Sequence, residues 1–271
     1  MKIFNNKEDL KSEIINDISI SFIPTMGGLH KGHVSLIKKA KKFKNKTLVS
    51  IYVNPKQFNK KEDYNKYPRN LQNDIKILKK LKINYLYLPD NKGIFNFKPK
   101  NKIYLHTFSQ QLCGKYRKGH FEGVLNVVNR FLEIIKPKYI FLGLKDFQQL
   151  ILIEKHIIKN KINTKVIGCK TIRENNGVAC STRNFNLSNR EMQVAKKIYI
   201  YLRKIKKKVK KNIKFFNRSL FKKELIKLGA SKIDYLNIIN IKKLKKAKNK
   251  KEKFNIFIAY YLNHTRLIDN F

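Results

Sequence analysis

A chain of 271 residues, 42% of them hydrophobic, is long enough for a sizeable core in one or two domains, and it holds no run of 18 apolar residues, which excludes a membrane-spanning helix. Its 62 Lys and Arg against 18 Asp and Glu give a formal charge of +44, yet only nine are Arg, and lysines spread along the whole chain lack the planar fork that reads phosphates and bases, so no specific nucleic-acid partner is expected. Three scattered cysteines (Cys113, Cys169, Cys180) without a Cys-x-x-Cys pair, and a start at Met1-Lys2-Ile3-Phe4 without an apolar signal region, point to a reducing, cytoplasmic setting and away from a disulfide or zinc framework.

The first predicted strand, 18–24, is an alternating apolar stretch. It runs into Pro24-Thr25-Met26-Gly27-Gly28-Leu29-His30-Lys31-Gly32-His33, and a helix over 32–43 follows, with Val34, Leu36, Ile37 and Ala40 at helical spacing. A helix N-terminus at that turn offers backbone N–H groups and positive dipole to an anion. Gly27 and Gly28 let the backbone approach a phosphate closely. His30 and His33, three apart on one face, add two donors. The reading is a nucleotide-triphosphate site of the His-x-Gly-His type; the plain alternative is a turn with two incidental histidines.

A second strand, 47–53, ends at Asn54-Pro55-Lys56-Gln57. Asn54 is held extended before Pro55, which aims its amide and that of Gln57 into the cleft. Neutral amides suit a hydroxylated or carboxylate substrate, and ordinary turn chemistry is the alternative. A helix over 71–81 and a strand over 84–88 come next. Residues 89–120 read as irregular, punctuated by Pro89, Gly93 and Pro99. Arg117 suits a carboxylate or phosphate clamp. His120 reads equally as a capping or core histidine, at the start of a helix over 121–136.

The strand at 139–143 meets a helix over 146–159 through Gly143-Leu144-Lys145-Asp146. Gly143 gives close approach, Lys145 a charge for phosphate oxygens, and Asp146 either a helix cap or a contact to ribose or metal. Gln149 faces the same mouth one turn in. A strand at 165–168 completes an alternation of strands and helices that implies a mostly parallel sheet, with ligands beyond the carboxyl ends of its strands. Eight of the 11 glycines (27, 28, 32, 114, 119, 123, 143, 177) fall in these motif segments. Beyond them, Ser181, Thr182 and Arg183 read as a phosphate clamp. Leu202, Ile205, Val209, Ile213 and Phe216 trace one face of an amphipathic helix. Strands at 233–239 and 254–261 complete a small α+β domain.

In this order, the five motif segments resemble the pantothenate synthetase (pantoate–β-alanine ligase) family. The resemblance runs nearly end to end and includes Tyr67-Pro68-Arg69 and Arg266-Leu267-Ile268-Asp269-Asn270. It implies an α/β chain: a Rossmann-like parallel-sheet domain binding ATP and pantoate over 1–170, then a small α+β C-terminal lid domain over 171–271, assembled as a homodimer. It implies ATP, Mg2+, pantoate and β-alanine as reactants, and a pantoyl adenylate on the way to pantothenate, AMP and pyrophosphate.

Carried over residue by residue, the resemblance makes Met26, Gly27, Gly28, Leu29, His30, Lys31, Gly32 and His33 the ATP loop, with His33 as general acid. It adds Gly143, Leu144, Lys145, Asp146, Ile172, Cys180, Ser181, Thr182 and Arg183 as ATP-binding positions. His30, His33 and Lys145 carry the catalytic charge stabilisation. Gln57 and Gln149 hold pantoate, Gln57 also lying near β-alanine; Asn54 and Arg117 complete the substrate set, and Asp74 is a magnesium-associated carboxylate. Three departures stand out: Leu144 where an acid is common, Lys118 in place of the proline before Gly-His-Phe, and Cys180-Ser181-Thr182-Arg183 for a Leu/Met-Ser-Ser-Arg pattern. Another adenylyl- or cytidylyltransferase with the same His-x-Gly-His turn is the nearest rival. The neutral pair Gln57 and Gln149 argues against the phosphorylated acceptor such an enzyme uses. A nucleic-acid-binding protein without catalysis calls for basic groups in that lining, which the sequence does not place there.

Overall fold

Two sheets of opposite character organise the chain. The computed structural model describes residues 1–17 and 19–271, and the chain divides into two units, Met1–Thr171 and Ile172–Phe271.

The first unit runs β1 (Lys2–Phe4), α1 (Lys7–Ile14), β2 (Ile20–Thr25), α2 (Lys31–Lys41), β3 (Lys46–Ile51), α3 (Lys61–Asn65), α4 (Leu71–Lys80), β4 (Tyr85–Tyr87), α5 (Asn91–Phe95), α6 (Leu112–Tyr116), α7 (His120–Ile135), β5 (Tyr139–Gly143), α8 (Phe147–Lys159) and β6 (Lys165–Cys169). The sheet order is β1-β4-β3-β2-β5-β6, and all its pairings are parallel. Phe22, Ile23, Leu48, Val49, Ile140 and Phe141 are fully buried, which is why these strands read as apolar runs: both faces of the sheet are covered. On one face Ile23, Val49 and Phe141 join Leu36, Ile37 and Ala40 of α2 and Leu78 of α4. On the other, the Phe22 ring lies 5.4 Å from that of Phe131 on α7.

From β2 the chain adds β3 and β4 on one side, then returns to place β5 and β6 on the other. The crevice beyond the carboxyl ends of β2 and β5 is therefore the topological switch point, where open α/β sheets bind ligands. The His-x-Gly-His turn leaves β2 there, and Gly143-Leu144-Lys145 leaves β5.

In the second unit α9 (Asn189–Lys211) and α10 (Arg218–Lys227) precede β7 (Lys232–Asn240), β8 (Lys245–Lys246), β9 (Phe254–Leu262) and β10 (Thr265–Asn270), an antiparallel sheet in the order β10-β9-β7-β8. Ala195, Ile198, Leu202, Ile205 and Val209 form the buried stripe of α9, against Leu236, Ile238, Ile256 and Ile258 of the sheet. A capping box starts α9: Ser188 Oγ accepts the Glu191 N–H, and Glu191 accepts the Ser188 N–H.

Several expected elements change. Ile18, the first residue of the strand expected at 18–24, lies outside the described residues, and β2 covers Ile20–Thr25. The supposedly irregular 89–120 contains α5 and α6; Asp90 starts α5 by accepting the Gly93 N–H at 2.6 Å. The amphipathic helix stops at Lys211 rather than reaching Phe216, because Asn212 turns extended and its side chain caps the next turn through the Lys214 N–H. β10 was unanticipated; it pairs with β9 across a two-residue turn in which Asn263 takes φ 46°.

A buried polar network ties the 99–106 stretch to α7 and α8. His156, fully buried, accepts the Tyr104 N–H on Nδ1 at 3.1 Å and meets Asn129 Oδ1 through Nε2 at 3.0 Å. Asn129 in turn donates to Asn101 O and Glu133 Oε1. An accepting Nδ1 requires the neutral ring.

Candidate active site

The motif loop is braced from within. Thr25 Oγ1 donates to Ser50 O and accepts the Gly27 N–H at 3.2 Å. Gly27 (φ 77°) and Gly28 (φ 61°) then turn the chain through the left-handed region that a side chain strains to enter. Asp74, on α4 and 1% exposed, accepts the Gly28 N–H at 2.8 Å and the Leu29 N–H at 2.7 Å. His30 caps α2, its Nδ1 accepting the Gly32 N–H at 3.0 Å, while His33 Nδ1 accepts the His30 N–H at 3.4 Å. Two histidines thus stand where a capping box usually has Ser and Glu, with ring centroids 4.1 Å apart.

This arrangement corrects the expectation that the loop turns its backbone N–H groups toward a phosphate. Those of Gly27, Gly28, Leu29, His30 and Gly32 are all bonded inside the loop or to Asp74. What the turn sets up instead is a pair of rings. An accepting Nδ1 carries no proton, so each neutral ring holds its proton on Nε2. Burial, then the neighbouring His30 and Lys145, hold the His33 imidazole well below the ordinary histidine range, so it is neutral near pH 7.

Lys145 sits in the turn after β5, with Nζ 3.4 Å from Asp146 Oδ1 and a side chain 16% exposed. Asp146 occupies the N-cap of α8 without a capping hydrogen bond, so the helix-cap alternative is not realised. A Cβ built on Gly143 meets nothing within 4 Å, so protein packing does not demand glycine there.

Gln57, 8% exposed, donates from Nε2 to Met26 Sδ, and its Oε1 accepts from Asn54 Nδ2 at 3.4 Å. Gln149 is half-buried in the first turn of α8. Asn54 and Arg117, expected to touch substrate, hold the protein's own backbone. Asn54 is 1% exposed; its Nδ2 donates to Gly123 O, and its Oδ1 accepts the Lys56 N–H. Arg117 donates to Gln57 O at 2.9 Å and to His120 Nε2, and His120 Nδ1 donates to the same Gln57 O at 2.8 Å. These three residues frame the backbone of Gln57, and His120 is a framework residue.

Gln148, which no sequence pattern singles out, and Asp74 both have structural roles at the site. Gln148 accepts the Cys113 N–H and donates to Phe108 O and Gln111 O, fixing the loop ahead of α6 beside Gln149. Asp74 was expected as a metal-associated group, not as the brace of the motif loop. Its signal was available: Asp74 and Leu78, four apart, are the buried residues of α4, and a carboxylate at a core position demands N–H partners.

In the second unit Cys180 is buried; its N–H donates to Ile172 O, and its Sγ donates to Glu174 Oε1. Ser181 caps a short turn at Thr182–Asn186 by accepting the Arg183 N–H; Thr182 is 4% exposed and Arg183 is half-buried. Arg173 grips both carboxylate oxygens of Asp269 at 2.6 and 3.0 Å, with its guanidinium about 5 Å from the rings of both Tyr199 and Phe271.

His33 and His156 give stability a sign with pH. Burial lowers both from the ordinary value of 6.5. The unfolded chain then binds more protons than the folded one below about pH 6.5. Stability is intact above that pH and falls on acidification toward the folded values, by at most about 1.4 kcal/mol per pH unit for each histidine. Urea unfolding at pH 7.5, 6.5 and 5.5 is the measurement; equal stability at the last two removes both histidines from the balance.

The family model described as Pantoate-beta-alanine ligase matches residues 2–271. The pantothenate synthetase of Francisella tularensis subsp. novicida is 39% identical in a 270-residue alignment that covers 97% of this chain and 92% of that protein. Among solved structures, the pantoate-beta-alanine ligase of Francisella tularensis, complexed with beta-gamma ATP and beta-alanine, matches with a TM-score of 0.86 and 39% identity over 100% of this chain and 97% of that one. The pantothenate synthetase of Thermus thermophilus matches with a TM-score of 0.91 and 27% identity over 100% of this chain and 99% of that one.

Proposed function

The chain belongs to the pantoate–β-alanine ligase family, and on that premise we propose how its residues join pantoate to β-alanine at the expense of ATP. The carboxylate of pantoate attacks the α-phosphorus of ATP, and the bond from that phosphorus to the pyrophosphate oxygen breaks. The resulting pantoyl adenylate stays bound. The amine of β-alanine attacks its acyl carbon, AMP leaves with the bonding electron pair, and the amine proton passes to solvent, giving pantothenate.

The observation that carries this assignment is the pair of rings at the switch point, each with its proton on Nε2 and with Lys145 close enough to bias His33. His30 and His33 donate to phosphate oxygens on which charge grows as the α-phosphorus is attacked. His33 acts here as a neutral donor in place of the general acid the resemblance implied. Lys145 supplies the charge, and the open flank of Gly143 admits the nucleotide against the backbone. Gln57, framed by Asn54, Arg117 and His120, orients pantoate with Gln149, while Ser181, Thr182 and Arg183 bind phosphate. The chain acts in the cytoplasm as a homodimer.

Among the described residues no three His, Cys, Asp or Glu side chains converge to hold a metal. Mg2+ commonly travels on nucleotide phosphates with most of its water. Mg2+ therefore arrives as part of the nucleotide substrate.

The partial reactions test the order of events. ATP with pantoate alone is expected to release pyrophosphate and retain the adenylate; ATP with β-alanine alone is expected to release none. Pyrophosphate release that strictly requires β-alanine, or a β-alanyl adenylate, reverses the assignment of the carboxyl donor.

A further inference from the structure

We propose that Asp74 is a positioning residue that fixes the His-x-Gly-His loop, and not a ligand of the magnesium ion that accompanies the nucleotide. The inference rests on the reading of loop 24–33 as the nucleotide site.

Both carboxylate oxygens have partners: Oδ2 takes the Gly28 N–H at 2.8 Å and Oδ1 the Leu29 N–H at 2.7 Å. These are charge-assisted bonds of good length. At 1% exposure the group has no face to offer a hydrated ion. Among the described residues no three His, Cys, Asp or Glu side chains converge to hold a metal, so Asp74 is not part of such a set. The loop wraps the carboxylate closely: a Cβ on Gly27 would stand 3.0 Å from Oδ2, at a φ of 77°.

The consequence runs directly to the rings. Gly28 and Leu29 immediately precede His30, the cap of α2. Anchoring their N–H groups sets the height and direction at which His30 enters the helix, and through the reciprocal cap it sets the position of His33. The first turn of α2 also contains no acidic residue, so Asp74 supplies negative charge that the N-terminus of that helix otherwise lacks. Desolvation pushes the Asp74 carboxyl up while the two backbone bonds hold it down.

Asp74→Asn is the informative variant. The amide keeps one carbonyl acceptor but turns its NH2 against the other backbone N–H. With the histidines displaced, kcat for pantoate-dependent pyrophosphate release is expected to fall about 10- to 100-fold. The Mg2+ concentration giving half-maximal rate is expected to change less than about twofold. The proposal is overturned if kcat at saturating Mg2+ stays within about threefold of wild type, and decisively so if the half-saturating Mg2+ rises more than about tenfold.

A second measurement needs no variant and no activity. Amide exchange of Gly28 and Leu29 in the ligand-free wild-type protein is expected to be slowed about 100-fold or more, with or without Mg2+. Exchange at the rate of unstructured amides overturns the brace even if the ligase reaction proceeds. Protected amides in a protein inactive toward pantoate would leave the brace standing and sink the functional reading.

Discussion

Replacing His33 with alanine is expected to slow pantoyl adenylate formation by roughly 10²–10³-fold, the usual cost of removing one preorganised donor from a developing negative charge. That corresponds to about 3–4 kcal/mol of transition-state stabilisation. The geometry explains the size. His33 Nδ1 is occupied by the His30 N–H, so the proton-bearing nitrogen is Nε2, and the ring cannot rotate without breaking the cap. A rigid donor needs no reorganisation when charge appears. Alanine removes the donor and one half of the capping box together, so stability is read beside rate. A glutamine amide can accept the His30 N–H and also donate, so His33→Gln should return much of the stability and part of the rate. Single-turnover pyrophosphate release from ATP and pantoate is the measurement. A loss below about threefold removes His33 from the mechanism. The pH profile discriminates further. Burial, His30 and Lys145 keep this ring neutral, so the wild-type rate should not fall as pH rises through 6 to 8. A general acid titrating there would impose that fall.

The parallel sheet was legible because its strands are buried on both faces and announce themselves as apolar runs. β2, β3 and β5 carry fully buried residues such as Phe22, Val49 and Phe141. The position of the site was legible for a related reason: scarce glycine and paired histidines concentrate where strands end. What the sequence conceals is the direction in which a polar group points. Asn54 and Arg117 have the right chemistry for a substrate, but the fold brings Gly123 O and Gln57 O within their reach. A buried polar group takes the partner that lies closest, since leaving it unpaired costs about 1–3 kcal/mol. Gln148 and Gln149 make the same point from adjacent positions. Helical geometry turns Gln148 inward onto Phe108 O and Gln111 O, while Gln149 stays half-buried. Pattern alone does not separate them, because the loop that Gln148 ties down lies 37 to 40 residues away in the chain.

Two glycines place opposite demands on the site, and their alanine variants are expected to fail differently. Gly123, in the first turn of α7, meets the loop before Gln57 backbone to backbone. A Cβ there would collide with Lys56 O and its carbonyl carbon and stand 3.1 Å from Gln57 N. The obstruction is main chain and cannot swing aside, and Asn54 already bonds Gly123 O at 3.0 Å from the same loop. Gly123→Ala is therefore expected to push the loop outward, costing about 2–3 kcal/mol of stability. Because Gln57 rides on that loop, the KM for pantoate is expected to rise about tenfold or more, with the KM for ATP changing less than about threefold. Gly143 is the counterpart. Its φ of −76° suits any residue, and a Cβ meets no protein atom within 4 Å. Gly143→Ala should leave unfolding stability within about 0.5 kcal/mol. It should instead weaken the use of ATP, if the open flank is where the nucleotide meets the backbone. Urea unfolding and the two KM values, measured on both variants, decide the matter. A Gly123→Ala protein as stable as wild type would mean that α7 and the Gln57 loop are not locked together. A Gly143→Ala enzyme with unchanged ATP dependence would mean that the space beside β5 is not the nucleotide's.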